Sequence, residues 1–170
     1  MVGHAAALSE GARDSCAKRG DVNVLVIHGP NLNLLGTREP AVYGSTTLAD
    51  IDEQIVREGA ALGLSVRCVQ HNSEGAIIDE LHAAKGSVDG VAINPGAYTH
   101  YSYAVRDAIA AIELPTVEVH LSNTQSREPF RAHSVVAAVC RGTVAGFGAA
   151  SYLLALRGLA QILSAERRKP

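Results

Sequence analysis

From Val22 onward, apolar and polar positions in this 170-residue chain switch between two periods. VNVLVIH (22–28) is a β-branched apolar run, the pattern of a strand buried on both faces. TLADIDEQIVREGAALG (47–63) spaces its apolar residues at helical intervals. Thr47 and Asp50 stand there as a capping pair and Gly63 as a stop, so the segment predicts a helix. LSVRCVQ (64–70) predicts a second strand, and SEGAIIDELHAAKG (73–86) a helix from Ser73 to Gly86. VDGVAIN (88–94) predicts a third strand, followed by a helix from about Tyr101 to Ile112. LPTVEVHL (114–121) predicts a fourth strand, with its proline at the start where a strand tolerates one. TVAGF (143–147) reads as a fifth strand, and SYLLALRGLAQILSAE (151–166) as the closing helix.

Strands that alternate with helices of ten or more residues imply βαβ units and a parallel sheet. Five of them predict an α/β fold of flavodoxin-like type, a parallel sheet in the order 2-1-3-4-5 with helices on both faces. At this length a single domain is expected. We take residues 21–166 as that domain, 1–20 as an extension outside it and 167–170 as a C-terminal tail. The N-terminal stretch mixes acids into a short apolar run, which does not read as a signal peptide.

Composition changes this picture only slightly. There is no Trp and there are two Phe, so the core must be aliphatic. A net charge of -2 argues against a nucleic-acid or membrane footprint. No apolar run approaches the roughly 20 residues of a membrane span. Cys16, Cys68 and Cys140 lack paired spacing and read as free thiols of a reducing, cytoplasmic compartment.

Ligands of open parallel α/β sheets bind outside the carboxyl ends of the strands. The first strand here exits into HGPNLNLLGTREPAVYG, the third into NPGAYTH and the fourth into HLSNTQSREPFRAHS. The unusual polar residues lie in those three loops: Asn31, Arg38 and Tyr43; Asn94 and His100; His120, Ser122, Arg127 and Arg131. Gathered at one edge, they offer guanidinium, imidazole, amide and hydroxyl groups and few carboxylates. Such a site suits an anionic, oxygen-rich molecule, because Arg matches a carboxylate with a bidentate fork.

Each of these residues also has a bland reading. Asn31 after Pro30 can shape a turn, and the two histidines can be hydrogen-bonded structural groups. Arg127 and Arg131, four apart, can form a solvated helix face. Asp107 can pair with Arg106, and the leucines at 32, 34 and 35 can belong to the core. GFGAAS (146–151) faintly mimics a dinucleotide fingerprint, but it follows the last strand rather than the first.

In order, the motifs GPNLNLLGTREPAVYG, TLADI, INPGAYTHYSYAVRDAI, VEVHLSN and SREPFRAHS resemble type II 3-dehydroquinate dehydratase, over about 22–162. The resemblance implies a flavodoxin-like enzyme without metal, cofactor or Schiff base. It would turn 3-dehydroquinate, a small anionic polyhydroxy acid, into 3-dehydroshikimate by trans elimination through an enolate. It implies a dodecamer built from trimers. By motif, Tyr43 resembles the general base and Arg38 its lid partner. Asn31 matches the residue holding a water at the enolate oxygen, and His120 the general acid with Glu118 behind it. Asn94, Leu121 (through its backbone) and Ser122 match the carboxylate and geminal hydroxyl site. His100 and Arg131 match the groups gripping ring hydroxyls, Arg127 a further site arginine, and Asp107 a residue reaching a neighbouring subunit's site. Three departures stand out: His28 where many relatives have Asn, Ala132 where some have a basic residue, and the first 20 residues.

The chemistry asks for such groups. Eliminating water beside a ketone takes a base for the α-proton, an acid for the departing hydroxyl and a cradle for the enolate. A phenol, with an ordinary pKa of about 10, needs a nearby cation to serve as base. Arg38 lies five residues before Tyr43 in the same loop, which would then act as a lid. Two other classes compete: a metal-dependent hydrolase built on His100 and His120, and a flavodoxin-shaped binding module without catalysis. A Schiff-base route to the same product lacks a placed lysine, since Lys18 and Lys169 are in the tails and Lys85 is near a helix end.

Overall fold

The structure, a computed structural model, describes residues 22–36 and 46–168. The N-terminal stretch and the loop carrying Arg38 and Tyr43 lie outside those residues. Five strands, β1 (Val22–His28), β2 (Leu64–Gln70), β3 (Gly90–Asn94), β4 (Thr116–His120) and β5 (Gly142–Ala145), pair in the order β2-β1-β3-β4-β5. Every pairing is parallel, as the alternating pattern predicts.

The helices fall on both faces, and strand alternation decides which side chains meet them. Val24, Val26, Ala92, Val117 and Val119 pack with Ile51 and Ile55 of α1 (Leu48–Ala61) and with Leu156 and Leu159 of α4 (Ala150–Glu166). Leu25, Ile27, Val91 and Ile93 pack with Ile77 and Leu81 of α2 (Glu74–Ala84) and with Val105 and Ile109 of α3 (Tyr103–Ile112). Leu35 joins the first of these clusters and Leu34 is exposed, so the leucines after β1 divide between core and surface.

The start of α1 follows the sequence closely. Thr47 Oγ1 accepts from Asp50 N–H at 3.2 Å, and Asp50 returns a carboxylate to Thr47 N–H at 2.8 Å, a capping box. Several expected boundaries shift: β4 spans Thr116–His120 rather than 114–121 and β5 spans Gly142–Ala145 rather than 143–147, and two further shifts have a clear local cause. β3 begins at Gly90, not Val88, because the Val88 N–H closes the end of α2 on the Ala84 carbonyl at 3.1 Å. The third helix begins at Tyr103 because Ser102 caps it, Oγ accepting from Val105 N–H at 2.9 Å.

Candidate active site

The register aligns His28 with Gln70 on one side and Asn94 on the other, so the loops after β1, β2 and β3 leave at one level. The sheet order reverses direction between β1 and β3, the switch point where α/β folds hold ligands. There the Gly-Pro and Pro-Gly pairs of two loops interlock. A Cβ on Gly29 would fall 2.6 Å from the Pro95 carbonyl carbon, so only glycine fits the approach. Gly96 turns with φ +59°, a left-handed conformation, against Pro30. Asn31 is left-handed as well (φ 67°), held by its N–H on Asn72 Oδ1 at 2.9 Å. Asn is among the few side chains that visit this region readily. Among the described residues, the Asn31 carboxamide makes no hydrogen bond of its own.

Around this edge lies a cleft of about 390 Å³, within the range of small-molecule sites. Asn31, Asn94, His100, His120, Leu121, Ser122, Arg127 and Arg131 all line it. Residues from three loops, up to 100 positions apart, are thus brought together as the topology predicts. A smaller depression adjoins the cleft, sharing Leu35, Leu121 and Ser122 and adding Thr46. Leu35 and Thr46, on either side of residues 37–45, thus both stand at this rim.

His120 and Glu118, two apart on β4, share a face, with His120 Nε2 2.8 Å from Glu118 Oε1. Glu118 is fully buried beneath the imidazole. Its carboxylate accepts from the hydroxyls of Thr99 and Ser134, the latter at 3.0 Å, and from Thr143 at 3.4 Å. Burial pushes this carboxyl upward, but hydrogen bonds from His120 and Thr99, with the His120 charge, outweigh it and hold it below the usual range. Because the folded-state value is lowered, the group stabilises the fold at pH above its unfolded value, near 4.5, and that contribution is lost as pH falls through the folded value. Glu118→Gln is therefore expected to cost about 1–3 kcal/mol at pH 7. It should also flatten the loss of stability on acidification, read from denaturant midpoints between pH 7 and 4. An unchanged slope would mean that other carboxylates govern acid unfolding.

On the opposite wall, His100 Nδ1 donates to the His133 carbonyl at 2.7 Å, which leaves Nε2 as the ring's acceptor. The ring meets Phe130 edge-on, and the Arg131 guanidinium lies 4.7 Å from the centre of that same ring. Arg127 donates to Ser122 Oγ at 3.3 Å. Sequence reasoning assigned no role to Glu128, which lines the same cleft and accepts from Arg131 Nε at 2.8 Å. Arg127 Nε lies 3.6 Å from it. The hydrogen bond from Arg131 holds the Glu128 carboxyl below the usual range. An anionic ligand would compete with Glu128 for both guanidinium groups. The signal for this was present in REPFR, one acid flanked by two arginines. The hydroxyls of Thr99, Ser134 and Thr143 around Glu118 carried no comparable signal.

Asp107 does not line the cleft. It is exposed on α3 and pairs with Arg106 at 3.0 Å, as its bland reading has it. GFGAAS is no phosphate cradle: its Gly146 and Gly148 N–H groups donate to the His120 and Leu121 carbonyls at 3.3 and 2.9 Å. The loop braces the cleft wall instead. Lys85 sits at the far end of α2, bound to the Ala111 carbonyl, so it offers no Schiff base to the cleft. His100 and His120 are committed to His133 and Glu118 rather than to each other. Among the described residues, a His/Asp/Cys group close enough to share an ion is His28, Asp52 and Cys68, outside the cleft. No described helix is long and apolar enough to cross a membrane.

The family model for dehydroquinase class II matches residues 22–160. The 3-dehydroquinate dehydratase of Ruegeria pomeroyi is 57% identical over 144 residues, covering 85% of this chain and 97% of that protein. The 3-dehydroquinate dehydratase of Pelotomaculum thermopropionicum is 55% identical, covering 83% of this chain and 98% of its own. The crystal structure of type II dehydroquinase from Butyrivibrio crossotus superposes with a TM-score of 0.79 at 45% identity, covering 81% of this chain and 97% of that one.

Proposed function

The chain belongs to the class II dehydroquinase family, and from that membership we propose that it dehydrates 3-dehydroquinate to 3-dehydroshikimate by trans elimination through an enolate. The observation that carries this reading is the cleft itself. One wall holds an imidazole backed by a buried, ionised carboxylate, and the other holds donors for an oxygen-rich anion.

In this reading Tyr43, ionised beside Arg38, takes the α-proton of the ketone. The electron pair moves onto the ketone oxygen, where a water held by Asn31 stabilises the enolate. The pair then returns and expels the β-hydroxyl, which leaves as water with a proton from His120. Glu118 is the counter-ion of the imidazolium form of His120 and orients its ring. Asn94, Ser122 and the Leu121 backbone hold the substrate carboxylate and its geminal hydroxyl. His100 and Arg131 grip the ring hydroxyls, and Arg127 adds a further donor. Asp107 reaches a neighbouring protomer's cleft in a trimer-based assembly, a role that a fully active monomer in sedimentation would contradict.

Mixing the purified protein with 3-dehydroquinate tests the reading. The conjugated enone of the product should appear in the ultraviolet. The rate should survive exhaustive chelation and treatment with borohydride in the presence of substrate. Loss to EDTA with recovery on adding metal would favour the metal-dependent class, and absence of any enone would leave a binding module.

A further inference from the structure

The arginines of the cleft already hold a carboxylate. Glu128 Oε2 accepts from Arg131 Nε at 2.8 Å and lies 3.6 Å from Arg127 Nε, while Oε1 lies 3.5 Å from Arg131 Nη2. One acid therefore bridges two guanidinium groups. The side chains of Arg127 and Arg131 are only 26% and 23% exposed, so they belong to the cleft wall and not to a solvated helix face. Each has a further contact that fixes it. Arg127 donates to Ser122 Oγ at 3.3 Å, and the Arg131 guanidinium stands 4.7 Å from the centre of the Phe130 ring. Two arginines held in this way form a ready receptor for an anion, because a guanidinium fork matches a carboxylate or phosphate. We infer that Glu128 fills that receptor as a specificity-determining residue, admitting a ligand with one anionic group and excluding ligands that carry a second. The inference deepens the proposed function and rests on it: the substrate carboxylate is held by Asn94, Ser122 and the Leu121 backbone, and Arg131 faces ring hydroxyls.

Charge and hydrogen-bond counting both lead there. Among the described residues lining the cleft, the ionisable ones are Arg127, Glu128, Arg131 and the two histidines. Two guanidinium charges and one carboxylate leave a single positive charge at this end, which suits an acid whose other groups are hydroxyls. A hydroxyl has both a proton to donate and lone pairs to accept, so it can sit between Glu128 and Arg131 and satisfy both. A second carboxylate only accepts. It would face Glu128 as a like charge, and repulsion of this kind rejects a wrong ligand without weakening the right one. The local fold does not call on the Glu128 side chain. Glu128 precedes the 3-10 turn at 129–132 without a side-chain cap, and the turn closes through its carbonyl, which accepts from the Arg131 N–H at 2.8 Å.

Cyclohexanecarboxylate and cyclohexane-1,4-dicarboxylate differ by one carboxylate on the same ring, and their competition with 3-dehydroquinate tests the filter. Against the parent protein the dicarboxylate should inhibit no better than the monocarboxylate. Glu128→Gln keeps an acceptor for Arg131 and removes only the charge. It should lower the inhibition constant of the dicarboxylate about tenfold relative to that of the monocarboxylate. Because the effect is one of charge, about 0.5 M NaCl should erase most of that gain. Glu128→Asp, which retains the charge, should stay close to the parent's preference. A dicarboxylate that gains no more than the monocarboxylate in Glu128→Gln overturns the inference, as does a gain that survives the salt or appears equally in Glu128→Asp. If the parent forms no enone at all, the proposed function fails on its own. Calorimetry with the same two ligands then shows separately whether Glu128 discriminates by charge.

Discussion

Tyr43→Phe and His120→Ala should each lower kcat by about 100- to 10,000-fold, the usual size of a general acid–base contribution, while the circular dichroism spectrum stays that of the parent. The two losses have different physical origins. Tyr43→Phe removes the one ionisable group on that ring, so no base remains for the α-proton. His120→Ala removes the proton donor and leaves the Glu118 carboxylate buried without its ring partner. Thr99, Ser134 and Thr143 still hold that carboxylate, so the fold should survive with reduced stability. Unlike a binding defect, these losses should remain at saturating substrate. Near-normal turnover in either variant would show that the role given to that residue is wrong.

Arg38→Gln should move the acid limb of the kcat/KM profile to higher pH by roughly 1–3 units. The base works only when ionised, so this limb reports its titration in the free enzyme. A cation near a phenol favours the phenolate, and deleting that charge raises the phenol's pKa. Activity at neutral pH falls and partly recovers in alkali. Arg38→Lys keeps the charge and loses the fork, so its limb should move less. If Arg38 only fastens a lid over substrate, Arg38→Gln lowers activity equally at every pH and the limb stays in place.

How far the chain could be read in advance depended on the range of the interactions. β1 and β2 match their predicted ends, because a short stretch rich in β-branched residues between turn residues is a local signal. β3 and α3 start later than expected because a carbonyl of α2 and a capping hydroxyl claim the first residues. The site's location was legible because the strand-exit rule needs topology alone, and eight predicted residues line the cleft. Details inside the cleft were less so. The hydroxyl cage of Glu118 comes from two separate loops and the edge strand β5, and nothing in the local pattern ties Thr143 to position 118. His28 was noticed as a departure from its relatives, but its link to Tyr152, 124 residues away, exists only once α4 packs on β1. Glu128 stood in a motif already singled out, yet its pairing with both arginines depends on the short 3-10 turns at 124–126 and 129–132.

The central claim is the division of labour between a tyrosine base and a histidine acid across an enolate. It is tested most directly by incubating 3-dehydroquinate in D2O with the His120→Ala and Tyr43→Phe variants and following the methylene protons beside the ketone by NMR. The account predicts that His120→Ala exchanges one of those protons for deuterium faster than the enzyme-free control, with little enone formed, and that Tyr43→Phe exchanges neither. Exchange by Tyr43→Phe together with none by His120→Ala would contradict it and assign the base to His120.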